Sequence, residues 1–264
     1  MPVLIRIGGI SIYTWGFMLA LAFVAGIFVV RKELARKGIE QDLAFDLGIY
    51  ALMGGLAGAR LTYVAGHFSE YVKNPLLILA LWQGGLVFYG GLVSGAIAVL
   101  AFIRRKKLNL ARTADAIAPA LAIGSAIGRL GCFTRGCCYG IPTSLPWGVT
   151  YTDVHSAAPL GIAVHPTQLY EFGYNVVIFG ALWAFRKRAS DDGFTFWLFL
   201  GLYGVFRFLV EFLRVRPIIA LGLGGSQIFS LAIVVVSIGV LGLSHARAIS
   251  RNKTAETERF KAGA

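Results

Sequence analysis

The chain has 264 residues, 57% hydrophobic and 14% charged, with a mean hydropathy of +0.71. Those proportions exclude a soluble domain built round one large core and point to an integral membrane protein. The formal net charge of +12 would suit a nucleic-acid binder, but the basic residues sit in short segments between apolar runs, so no nucleic-acid partner is expected.

The N-terminal stretch, Met1 to Phe17, has no charged segment followed by a small-residue cleavage site, so no cleaved signal peptide is expected. Apolar runs then follow at about 12–30, 43–66, 85–103, 113–131, 166–185, 193–213 and 226–244. Each is long enough to cross a bilayer as a helix. A shorter apolar piece from Pro75 to Gln83 reads as re-entrant or interfacial, and the polar segment 245–264 as a flexible tail. The 33 glycines suit close helix packing in lipid.

The basic residues set the orientation. Arg31, Lys32, Arg36 and Lys37 follow the first run, and Arg104, Arg105, Lys106, Lys107 and Arg112 the third. Arg186, Lys187 and Arg188 follow the fifth, and Arg247, Arg251, Lys253, Arg259 and Lys261 the seventh. Seventeen of the 25 Lys and Arg thus fall on one side, which the positive-inside rule makes cytoplasmic. The expected fold class is an all-α integral membrane protein with seven transmembrane helices. Residues 1–264 form one membrane domain with the N-terminus outside and the C-terminus cytoplasmic.

Against that topology, polar groups gather at the outer ends of the spans. Arg60, Arg129 and Arg207 lie inside apolar runs, where a central arginine costs roughly +2.5–3.5 kcal/mol on insertion scales. They either hold something anionic in a wet cavity, a phosphate being the natural ligand of a guanidinium fork, or they snorkel or pair internally. Residues Tyr203, Arg207, Glu211 and Arg214 are spaced to share one helix face. Glu171 and Glu211 would pair with Arg129 or Arg207 and orient them. The run Gly128 to Gly140 closes the fourth span, and its glycines permit a non-helical backbone close to a ligand. Gly84, Gly85, Gly90 and Gly91 flank Tyr89 and serve either that purpose or plain helix packing. His165 opens the fifth span and is either a general base or a partner for a loop carbonyl. Trp15, Trp82, Trp147 and Tyr151 fit an interfacial aromatic belt. Cys132, Cys137 and Cys138, the chain's three cysteines, lack the CxxC spacing of a zinc site. They are read as buried free thiols or a disulfide on the oxidising side, and no metal is expected.

Taken in order, the segments Gly58-Ala59-Arg60, Trp82-Gln83-Gly84-Gly85 with Phe88-Tyr89-Gly90-Gly91-Leu92, Gly128 to Gly140, His165-Pro166-Thr167-Gln168-Leu169-Tyr170-Glu171, and Tyr203-Gly204-Val205-Phe206-Arg207 with Glu211 resemble the bacterial prolipoprotein diacylglyceryl transferase family. The likeness runs from Ile12 to about Leu243. It implies a transferase of the bacterial inner membrane, acting on its outer side. Such enzymes move diacylglyceryl from phosphatidylglycerol to the lipobox cysteine thiol of a prolipoprotein signal peptide and release glycerol 1-phosphate, without a cofactor. The family's essential arginines match Arg129 and Arg207. Arg129 and Arg207 are the expected catalytic arginines. His165, Tyr89 and Glu211 compete to help deprotonate the acceptor thiol, unless the arginine field alone suffices: His165 as proton acceptor, Tyr89 as hydrogen-bond donor to the lipid, Glu211 orienting an arginine. Lipid and phosphate binding is expected of Arg129, Arg207, Arg60, Tyr203, Gly90, Gly91 and Gly140.

The departures are specific. Family members often read Gly-Arg-x-Gly-Asn-Phe-x-Asn-Gly-Glu, where this chain has Cys132, Arg135 and Cys137 for the two Asn and the Glu. Tyr89 stands where a histidine serves as a family base, and Trp15 where the family has a tyrosine. A non-catalytic lipid binder or transporter on the same scaffold, or a sibling transferase with another donor or acceptor, is the alternative reading.

Overall fold

The computed structural model describes residues 3–7, 10–81, 84–187, 191–215, 218–220 and 222–262. Trp82, Gln83, Arg188 and Arg216 lie outside the described residues, as do the side chains of the basic tail from Arg247 onward. The chain is mostly helical and divides into two compact units, residues 1–26 with 115–264, and residues 27–114.

In the first unit, β1 (Val3–Ile7) and β2 (Ile10–Tyr13) form an antiparallel hairpin ahead of α1 (Thr14–Arg36). The hairpin was not expected from the sequence. α5 (Leu110–Arg135), α6 (Thr167–Phe185), α7 (Phe194–Val210) and α8 (Gly225–Ala262) carry most of the unit. α6 packs on α7, and α7 on α8. Ala118 and Ala122 of α5, Tyr174, Ile178 and Leu182 of α6, and Phe199 and Val210 of α7 make one buried apolar cluster. Small alanines on α5 let the larger residues of α6 and α7 close against it, the way helices associate where lipid offers no hydrophobic gradient. Asp115 fixes α7 to α5. Its fully buried carboxylate accepts from the Gly193 and Phe196 N–H groups, both at 2.9 Å, and so caps the first turn of α7 from another helix. Between α5 and α6 a loop carries the two-residue strands β3 (Val149–Thr150) and β4 (Ala163–Val164).

In the second unit, α2 (Leu43–Gly66) lies along α4 (Phe88–Arg105), with the short helix α3 (Phe68–Lys73) and a 3₁₀ turn at Pro75–Leu79 between them. A Cβ at Gly58 would overlap the Ser94 side chain, and one at Gly90 the Thr62 side chain. The two backbones therefore meet at glycines.

Six helices are long and apolar enough to cross a membrane among the described residues: Thr14–Arg36, Leu43–Gly66, Phe88–Arg105, Leu110–Arg135, Phe194–Leu213 and Gly225–Ser244. The remaining long helix, α6, has 19 residues, but Gln168, Glu171 and Asn175 in its first half lower its hydropathy. All three side chains are buried, so the polarity is internal. Helix limits differ from the expected runs in physical detail. α5 continues as helix through Gly128 and Gly131 to Arg135, because a helix tolerates single glycines, and the non-helical backbone starts only at Gly136. The backbone of α8 runs on as helix over the expected polar tail to Ala262.

Candidate active site

Glu171, in the second turn of α6, is fully buried and gathers three arginines. Its Oε2 lies 2.7 Å from Arg129 Nη2, and its Oε1 lies 2.9 Å from Arg214 Nη1 and 3.6 Å from Arg207 Nη1. Arg129 comes from the last turns of α5 and Arg207 from the end of α7. Arg207 also pairs through Nη2 with Glu211 Oε2 at 2.7 Å, and Glu211 Oε1 accepts from Ser226 Oγ in the first turn of α8 at 2.5 Å. Four helices thus converge on a cluster of three guanidinium groups and two carboxylates. One positive charge is left over, and Arg207 Nη1 has no hydrogen-bond acceptor. Buried ions in this number hold together only when each is paired, and the surplus cation with an unused donor suits an anionic ligand.

The expected common face of Tyr203, Arg207, Glu211 and Arg214 ends early. α7 stops at Val210, Glu211–Leu213 form a 3₁₀ turn, and Arg214 is extended. The turn carries the Arg214 side chain back to Glu171. Arg214 belongs to the cluster, although the sequence singled it out only by spacing, and Ser226 carried no signal. Tyr203 stays in α7, its ring edge-on to Tyr174 at 6.1 Å, and Tyr174 Oη lies 3.4 Å from Glu171 Oε2.

The signature loop after α5 is tied to the same cluster. Gly136 turns the chain at φ +72°, and Cys138 follows at φ +63°. Thr167 Oγ1 donates to the Cys138 carbonyl and Gln168 Nε2 to the Cys137 carbonyl, both at 2.7 Å. Gly140 then passes between two segments. Its N–H donates to the His165 carbonyl, it bridges Arg214, and a Cβ there would overlap the Leu213 carbonyl oxygen and crowd His165. Only glycine fits that approach. Burial raises Tyr151, partly relieved by its hydrogen bond with Gln168. Arg135 lies over the Trp15 ring at 5.4 Å.

His165 stands beside the signature loop: its carbonyl accepts from the Gly140 N–H at 2.9 Å, and its N–H donates to the Ile141 carbonyl at 3.0 Å. Its Nδ1 is 3.2 Å from Tyr170 Oη, which also accepts from Trp147 Nε1 at 2.8 Å. The remaining sequence candidates lie in the second unit. Arg60 is 4% exposed and donates to four carbonyls: Leu77 (2.5 Å), Ile78 (2.9 Å), Gly84 (2.6 Å) and Gly85 (3.2 Å). The guanidinium therefore binds the 75–85 segment to α2. Gly90 and Gly91 face α2, against Thr62 and against Gly55 and Ala59. Tyr89 is 70% exposed and edge-on to Phe88.

The profile of the family described as prolipoprotein diacylglyceryl transferase matches residues 2–243. The chain belongs to that family. It is 36% identical to the phosphatidylglycerol–prolipoprotein diacylglyceryl transferase of Clostridium tetani, over 93% of this chain and 98% of the relative. The enzyme of that name from Geobacter sulfurreducens is also 36% identical, over 96% of each chain. The one from Bordetella bronchiseptica is 35% identical, over 90% of this chain and 93% of the relative. Family membership covers both units, and the arginine–glutamate cluster lies inside the matched residues.

Proposed function

We propose that the chain transfers diacylglyceryl from phosphatidylglycerol to the lipobox cysteine of prolipoproteins in the bacterial inner membrane, on its outer side. The observation that carries the reading is the surplus positive charge of the Glu171 cluster together with the unused Nη1 donor of Arg207. In the reaction the acceptor sulfur forms a bond to the terminal glycerol carbon of the lipid. The carbon–oxygen bond to the phosphate breaks, and its electron pair leaves on glycerol 1-phosphate. Arg129 and Arg207 hold the phosphate in the ground state and stabilise the charge that grows on its bridging oxygen. Glu171 and Glu211 keep both guanidinium groups in place before the lipid arrives, so little reorganisation accompanies the step. His165, beside the signature loop, takes the acceptor proton. Glu211 orients Arg207. Tyr89 and Tyr203 contact the lipid, Gly140 keeps the signature loop closed, and Arg60 with Gly90 and Gly91 shapes the segment on which Tyr89 stands.

The same reading makes α6 a seventh span, with N-terminus out and C-terminus in. The basic segments after α1, α4 and α6 then lie in the cytoplasm and the 141–164 loop outside. The deciding experiment is rescue of a bacterium depleted of its own transferase, with mass spectrometry of a reporter lipoprotein. A diacylglyceryl adduct on the lipobox cysteine supports the assignment, and an unmodified reporter at normal expression of the chain rejects it.

A further inference from the structure

The three cysteines are separated by four residues and then none, a spacing that argued against a metal. The fold reverses that argument. Cys132 sits near the end of α5, and the turn at Gly136 brings Cys137 and Cys138 back to it, so that the three sulfurs lie within 4.8 Å of one another. The Cys137 N–H returns to the Cys132 carbonyl at 3.2 Å. The carbonyls of Cys137 and Cys138 are held by Gln168 and Thr167, whose side chains are fully buried. The space that a Cβ on Gly136 would need is filled by Ser156. The sulfurs therefore converge on one point from a braced frame, as ligands of a metal site do when a second layer of hydrogen bonds orients them.

A zinc ion bound by three thiolates at about 2.3 Å from each sets the sulfurs about 3.8 Å apart, a closing movement of at most about 1 Å from the bound given above. Three sulfurs select thiophilic cations and discriminate against magnesium and calcium. Three protein ligands also leave the fourth tetrahedral position of zinc open, the arrangement of sites that bind a reactant rather than a structural fourth residue. Arg129 precedes Cys132 by three residues on α5, one helical turn away, and Gly140, two residues past Cys138, bridges Arg214. The thiol cluster thus adjoins the arginine cluster, whose positive charge offsets that of a trithiolate site.

We propose that Cys132, Cys137 and Cys138 bind one zinc ion whose fourth position takes the acceptor cysteine as its thiolate. The second half rests on the transferase reading above. Coordination withdraws the acceptor's proton, which passes to His165, and leaves a metal-held sulfur nucleophile. That sulfur then attacks the glycerol carbon while glycerol 1-phosphate departs toward Arg129 and Arg207. Zinc changes neither oxidation state nor count in the cycle.

The test uses the full chain in detergent micelles, stripped of metal by a chelator under reducing conditions. Zinc(II) is titrated against a chromophoric chelator, and cadmium(II) is followed by its thiolate charge-transfer absorption. One equivalent per chain is expected, with affinity falling at least 100-fold in each of Cys132→Ser, Cys137→Ser and Cys138→Ser. Binding that persists in the triple Ser variant is adventitious and overturns the site. So does a disulfide among these cysteines in unreduced, metal-free protein, or a single variant with unchanged affinity. Adding a lipobox peptide to the cadmium-loaded protein should strengthen the charge-transfer band, and a peptide with Ser for the cysteine should not. An unchanged band makes the metal structural and overturns acceptor binding. Transfer at an undiminished rate by metal-stripped protein also overturns acceptor binding, yet leaves the transferase assignment standing. Zinc binding with no transfer by either form rejects the transferase assignment instead.

Discussion

Glu171 and Arg214 are 43 residues apart in sequence, and Glu171 Oε1 accepts from Arg214 Nη1 at 2.9 Å. That bond joins α6 to the turn after α7 and completes a carboxylate surrounded by three arginines.

Glu171 is therefore the residue whose neutralisation should be felt most. Glu171→Gln leaves Arg129 and Arg214 without their carboxylate partner at a buried position, where breaking such a pair costs about 3–5 kcal/mol. Thermal unfolding in detergent should show a markedly lower midpoint. An unchanged midpoint would mean that water or lipid already screens these charges.

Arg129→Ala and Arg207→Ala should each lower turnover by about 10²–10³-fold, the usual effect of deleting one donor to a developing anion. Arg→Lys at either position should fail to restore it, because an ammonium group cannot span two phosphate oxygens as a planar fork does. Single-turnover transfer from labelled phosphatidylglycerol measures the effect, with membrane insertion checked in parallel. Turnover at the wild-type rate in either alanine variant would remove that arginine from the mechanism.

His165→Gln separates a proton acceptor from a structural histidine. If His165 takes the acceptor proton, transfer slows at pH 7 and recovers in part as pH rises, because a free thiol near pKa 8.5 ionises unaided. The readout is the rate of single-turnover transfer across the pH range. An unchanged rate and profile would leave the Tyr170 hydrogen bond as the histidine's whole role.

Topology is open to direct labelling. In a background with the native cysteines replaced by serine, Lys106→Cys should be shielded from an impermeant thiol reagent in intact cells, and Ser144→Cys should react. The reverse pattern would place the arginine cluster at the cytoplasmic end and contradict the proposed orientation.

Composition and periodicity alone were enough to show the membrane class, and six of the expected runs are helices long and apolar enough to cross a membrane among the described residues, because a bilayer demands about 20 consecutive apolar residues for each helix and leaves little freedom elsewhere. Arg129, Arg207, Glu171 and Glu211 stood out for the same reason: ionised groups in apolar runs are too costly to be incidental. Which arginine meets which carboxylate was decided only by the tertiary structure. Arg214 reaches Glu171 because a 3₁₀ turn ends α7, and Arg60 turns to four backbone carbonyls of its own unit, details that depend on chain reversals of a few residues. Spacing likewise argued against a role for the cysteines together, since it records separation along the chain. The fold-back at Gly136 and the bonds from Thr167 and Gln168 bring their sulfurs to one point, and those contacts come from a helix about 30 residues further on.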